Sequence, residues 1–261
     1  MLANLSKRVL HRFARRKYAP TIEVHRSSGL LKLGSDYGGW TFEPSSDLHG
    51  SVIVSCGLGE DASFDVEFAS RYGAKVIVVD PTPRAICHFQ SIQERIGQPA
   101  LQRYVYGGQL HVESYDLRKV HKESLILERS ALWTENTTLK FFAPPNPNHV
   151  SHSLVNLQNS NDLNTRHIEV PGIALETLLT KHQIESLPLM KLDIEGAEMR
   201  VIRNLLEKSI LVRQLLVEFD EMNFPSDRSK KNVEDIDRLL RESGYTCRYF
   251  DGLSNFLYVL L

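Results

Sequence analysis

Gly57, Gly59, Glu60, Asp61, Asp80, Asp193 and Glu195 are the positions whose types and spacing best suit chemistry. In the stretch SVIVSCGLGEDASFD, an apolar run of Val52, Ile53 and Val54 ends in Gly57-Leu58-Gly59. Phe64, Phe68 and Tyr72 then recur at helical spacing. Strand, glycine turn and helix together offer a ligand bare backbone and the positive end of a helix dipole. A second buried run, 75–79, carries Asp80 at its carboxyl end, about twenty residues after the glycines. In nucleotide-binding folds an acid at that point takes the ribose hydroxyls.

Two cofactor classes fit this pattern. Gly57-x-Gly59-x-x-Ala62 satisfies the dinucleotide fingerprint. Glu60 and Asp61, however, would repel a pyrophosphate and attract a ligand bearing ammonium and sulfonium charges, which favours S-adenosylmethionine. The competing view is that both acids cap the following helix. Further acids fall at the other strand ends, where open α/β sheets bind ligands: Asp193, Glu195 and Glu218, with Ser130 and Ala131 beside them. In KLDIEGAE, strand alternation puts Lys191 and Asp193 on one side and Leu192 on the other, so Asp193 and Glu195 are candidates to orient donor or acceptor. The alternative is a helix-start acid with a Lys191 ion pair. His152, in HVSHS, has the residue type of a neutral-pH base. The 34–40 segment, with Tyr37 and Trp40, either folds over the cofactor or is a packed turn. Nothing in the spacing of Asp193, Glu195, Glu218 and His152 demands a metal.

These residues need elements to position them. From Ser51 onward strand and helix patterns alternate, which predicts a largely parallel sheet covered by helices on both faces. The expected core strands are 52–56, 75–79, 125–128, 189–192, 215–219, 245–250 and 256–260, seven in all. Expected helices are 62–72, one from Pro81 and Pro83 to about Arg95, 175–182, one opened by Gly196, and one stopped by Gly244. The last two strands flank Asp251-Gly252-Leu253-Ser254, a hairpin turn. Between about 133 and 166 the helical rhythm stops. An extra strand at 137–142 precedes Pro144, Pro145 and Pro147, and this polar insertion is a candidate substrate lid. The organisation is thus a lead-in at 1–33 and one catalytic domain at 34–261.

A net charge of −1 gives no global field to recruit nucleic acid. Three widely spaced cysteines argue against a disulfide framework and for a reducing, cytoplasmic setting. No apolar run is long enough to span a membrane, and no cleavable signal pattern is present. Lys7, Arg8, Arg12, Arg15, Arg16 and Lys17 precede the first acid, Glu23, with apolar residues at helical spacing among them. Such a basic amphipathic segment, 1–17, lies on an anionic membrane surface, docks on its own domain or frays. Oligomeric state is not legible.

The segments SCGLGEDASFD, VVDPTPR, ALW, HVSHS, KLDIEGAE and LLVEFD, in this order, resemble the FkbM family of S-adenosylmethionine-dependent methyltransferases, from about Gly34 to Glu218. The resemblance implies a Rossmann-like class I methyltransferase fold, α/β, with a C-terminal antiparallel hairpin. It implies O-methylation of a hydroxyl on a small molecule or glycan. It carries Gly57, Gly59 and Asp80 to the cofactor and Asp193 to the reaction centre. The acceptor stays open. A nicotinamide-dependent oxidoreductase and a non-catalytic binding protein remain the competing functions.

Overall fold

The computed structural model describes residues 13–142 and 167–261. Its main sheet has seven strands, β3 (Val52–Cys56), β4 (Lys75–Val79), β5 (Leu125–Glu128), β9 (Leu187–Leu192), β10 (Val212–Glu218), β11 (Tyr245–Phe250) and β12 (Asn255–Leu260). The order across the sheet is β11-β12-β10-β9-β3-β4-β5. β5, β4, β3, β9 and β10 run parallel, whereas β12 is antiparallel to both β10 and β11. The expected seven strands and closing hairpin are therefore present. The order reverses between β3 and β9, which opens a crevice at their carboxyl ends.

Helices cover both faces. α1 (Ser63–Tyr72) and α2 (Pro83–Glu94) share one core with the hairpin of β1 (Leu31–Leu33) and β2 (Trp40–Phe42). Phe64, Phe68 and Tyr72 form the buried stripe of α1, and all three rings lie within aromatic contact of Phe42. Gly73 ends that helix at φ +59°, a left-handed conformation that glycine adopts without a Cβ penalty. On the other face α3 (Leu175–Lys181), α4 (Glu198–Glu207) and α5 (Asp227–Glu242) bury Leu178, Ile202, Leu205, Ile236 and Leu240.

The strand expected at 137–142 is present, but the sheet that it belongs to was not predicted. β6 (Ala131–Trp133) and β7 (Thr137–Phe142) flank β8 (His167–Ala174) in a second, three-stranded sheet. β8 begins at His167 and continues through Pro171 and Gly172 because β6 and β7 pair with it on either side. The core of the expected lid, 143–166, lies outside the described residues, as does 1–12 of the basic lead-in. Residues 13–17 are helical, and Ile22 and Val24 pack against the core beside α5 and β11.

Candidate active site

The carboxyl ends of β3, β4, β9 and β10 open on a cleft of about 1120 Å³. Its lining includes Gly57, Gly59, Glu60, Asp61, Asp80, Ala131, Asp193, Glu195 and Glu218. One surface thus gathers residues from four strand ends that are far apart in the sequence.

Gly57 has φ +84°, and a Cβ built there would lie 1.8 Å from the carbonyl oxygen of Asp193. The amide of Asp193 donates to the Cys56 carbonyl at 3.2 Å, and that of Gly57 to Val79 at 3.0 Å. Glycine is required here because β9 leaves the sheet directly against it. Gly59, at φ +56°, has open space on its Cβ side.

Asp80 is buried, and all its lone pairs have partners within the chain. Oδ2 accepts from the amides of Leu58 at 2.9 Å and Gly59 at 3.1 Å. Oδ1 accepts from the Thr82 amide at 2.8 Å and the Thr82 hydroxyl at 2.7 Å. A carboxylate has about four such sites, so its first task in this structure is to brace the glycine turn.

The two acids after Gly59 are engaged likewise. Glu60 is ion-paired with Arg84 of α2. Asp61 accepts from the Ser35 hydroxyl at 2.7 Å and the Ser63 amide at 2.9 Å, which ties the 34–40 segment to the start of α1. Ala131 lines the cleft, but Ser130 points its hydroxyl at Glu128, 3.0 Å away. His152 lies outside the described residues.

The opposite wall is acidic. Asp193 is 36% exposed, into the cleft, and its carboxyl is raised above the ordinary range by desolvation, and further by Asp220, Asp80 and Asp65. Glu218 accepts from the Ser254 hydroxyl at 3.0 Å. Burial and the neighbouring Asp193 push its carboxyl up to about 8. Glu195 adopts φ +56°, rare for a residue with a side chain, and Gly196 follows at φ +92°. Glu198 holds that turn by accepting from the amides of Ile194 at 2.7 Å and Gly196 at 3.3 Å. Tyr37 overlooks the same wall. Its hydroxyl is raised by burial and then by Asp193, Glu218 and Glu195.

Glu218 received no catalytic assignment from sequence. The signal was present, an acid closing the LLVE run, but nothing local showed that Asp193 would face it. Among the described residues no group of three or more His, Cys, Asp or Glu side chains is arranged to hold a metal ion.

An acidic cleft beside a glycine turn suits several cationic or hydroxylated ligands. The methyltransferase FkbM domain model matches residues 35–247. The chain belongs to the FkbM methyltransferase domain family. The antiparallel hairpin that the sequence resemblance implied closes the sheet. A comparison with curated proteins gives no match. Among solved structures, the chain is similar to a human methyltransferase 10 domain containing protein at 9% identity, covering 97% of this chain and 92% of that one, with a TM-score of 0.39. That likeness says nothing about the acceptor. The FkbM match leaves out residues 13–34, yet this arm reaches the site: Arg15 lines the cleft and donates to Asn223 at 2.6 Å.

Proposed function

We propose that this FkbM protein is an S-adenosylmethionine-dependent O-methyltransferase that acts on a hydroxyl of a small molecule or glycan. The observation that carries the proposal is one cleft walled on one side by the Gly57–Gly59 turn and on the other by Asp193 and Glu218. Family membership speaks for a methyl donor over a nicotinamide.

The residues present fit the donor. Gly59 leaves open space beside the backbone, the carboxylates oppose a cation, and Leu132 and Pro81 add apolar wall. The Gly57–Gly59 turn would hold it, with Ala131 beside it. When bound, S-adenosylmethionine supplies an electrophilic methyl group on a sulfonium.

Every other step belongs to the chain. A hydroxyl is a weak nucleophile at neutral pH and needs a base during attack. Glu218 meets that need best among the described residues, because it lines the cleft and its carboxyl, pushed up to about 8, is a stronger base than an ordinary carboxylate once ionised. Asp193, on the same wall, would orient the acceptor. Ser254 holds the Glu218 oxygen in place.

Thermal melting with S-adenosylhomocysteine tests the cofactor. At a hundredfold excess over Kd the native state should gain about 2.7 kcal/mol. No shift at millimolar ligand in a folded sample would end the cofactor assignment. Binding without turnover across a broad panel of hydroxylated acceptors would favour a non-catalytic binding protein.

A further inference from the structure

Lys191 lies inside the sheet, on the second-last residue of β9, and is 3% exposed. A buried ammonium is costly unless its charge and donors are compensated. Three groups do so here. Its Nζ donates to the Gly57 carbonyl oxygen. The same nitrogen is 3.8 Å from Asp193 Oδ2. It also lies 5.6 Å from the centroid of the Trp40 ring, whose face attracts a cation.

These contacts join the two halves of the cleft. Gly57 belongs to the turn that would hold the donor, and Asp193 to the wall that would face the acceptor. Lys191 is 134 residues from Gly57 in sequence and touches both. We propose that Lys191 is a positioning residue: one buried cation fixes the Gly57 carbonyl and the Asp193 carboxylate to each other, so that donor turn and acceptor wall are set as a unit.

Asp193 is surrounded by groups that oppose its ionisation. Asp80 stands beyond β4, Asp65 on α1 and Asp220 after β10. Glu218 faces it from the end of β10, and Tyr37 from the 34–40 segment. Lys191 is the cation acting against them. Asp65, itself buried, also feels Lys191, so a purely structural role would be to neutralise Asp65. The two roles make different predictions.

The test uses the full chain as wild type, Lys191→Met and Lys191→Arg. Asp carboxyl carbons are labelled with ¹³C, and the Asp193 signal is assigned by its loss in Asp193→Asn. In Lys191→Met the Asp193 midpoint should rise by about one pH unit or more, a tenfold change in its ionisation. Affinity for S-adenosylhomocysteine should fall roughly tenfold or more, as loss of a charge-assisted bond predicts. Lys191→Arg, which keeps the cation, should return the midpoint toward wild type. A folded Lys191→Met protein with an unmoved Asp193 midpoint overturns the proposal, even if it melts lower. Should Lys191→Met fail to fold, Lys191→Gln is read by the same two measurements. The affinity measurement rests on the proposed cofactor, whereas the titration does not. Failure of wild type to bind S-adenosylhomocysteine therefore removes the cofactor and leaves the Lys191 result decisive.

Discussion

Glu218→Gln should make the protein more stable at pH 8 while silencing it. The Glu218 carboxyl titrates at about 8 in the folded chain, against a reference value of 4.5. Between those values the native state keeps a proton that the unfolded chain has released. The sign follows from linkage: this group's contribution is fully present below about 4.5 and is lost as pH rises through about 8. The slope is at most about 1.4 kcal/mol per pH unit, which sets a ceiling of roughly 5 kcal/mol over the whole interval. Water in the open cleft screens a carboxylate on its wall, so about 2 kcal/mol is the expected gain at pH 8. Glutamine keeps the shape and can still accept from Ser254, but it never ionises. Its melting temperature at pH 8 should exceed that of wild type by roughly 4–8 °C. The assay is thermal or urea unfolding of both proteins at half-unit steps from pH 5 to 8.5. Using the difference between them cancels Glu221, whose carboxyl burial pushes up to about 7. A difference that stays flat across this range would refute the reasoning. The same variant should lose about 10²–10⁴-fold in methyl transfer if Glu218 is the base.

Three further outcomes follow from the site. Gly57→Ala should abolish S-adenosylhomocysteine binding and lower stability by at least about 2 kcal/mol, since it adds both a left-handed backbone penalty and a clash with Asp193, and calorimetry plus melting reads both. Asp80→Ala should weaken S-adenosylhomocysteine binding tenfold or more and also cost roughly 2–4 kcal/mol in urea unfolding, because the Leu58, Gly59 and Thr82 donors lose their acceptor; unchanged stability would show that the brace is dispensable. Asp193→Asn should keep S-adenosylhomocysteine affinity within a few-fold in calorimetry yet lose turnover on any acceptor found, and loss of binding alone would move Asp193 to the donor side.

Much of this architecture is legible in the chain because its signals are local. Phe64, Phe68 and Tyr72 announce α1 by spacing, and the runs at 52–56, 75–79 and 125–128 coincide with β3, β4 and β5. Asp80 and Asp193 fall at strand ends as their positions suggest. What each acid touches was not legible, because its partners come from elsewhere in the chain. Arg84 answers Glu60 from a helix that begins 23 residues later. Ser35 reaches Asp61 from before the first core strand. The need for glycine at 57 lies in a carbonyl 136 residues away. β8 is not legible at its full length, because Pro171 and Gly172 lower strand propensity and the two neighbouring strands override that preference.

The position of β12 bears on how the protein comes off the ribosome. β10 ends at Glu218, but the strand that covers its free edge begins only at Asn255. At roughly 5–20 residues per second, several seconds of synthesis separate the two. During that time the β10 edge is an unpaired template of the kind that recruits other chains. Asp251, whose Oδ1 accepts from the amides of Leu253, Ser254 and Asn255, shapes the turn that sends β12 back into that gap. The same turn places the Ser254 hydroxyl on Glu218. Protection of the nascent edge and completion of the acidic wall are therefore one event, and a nascent chain still lacking that turn has neither.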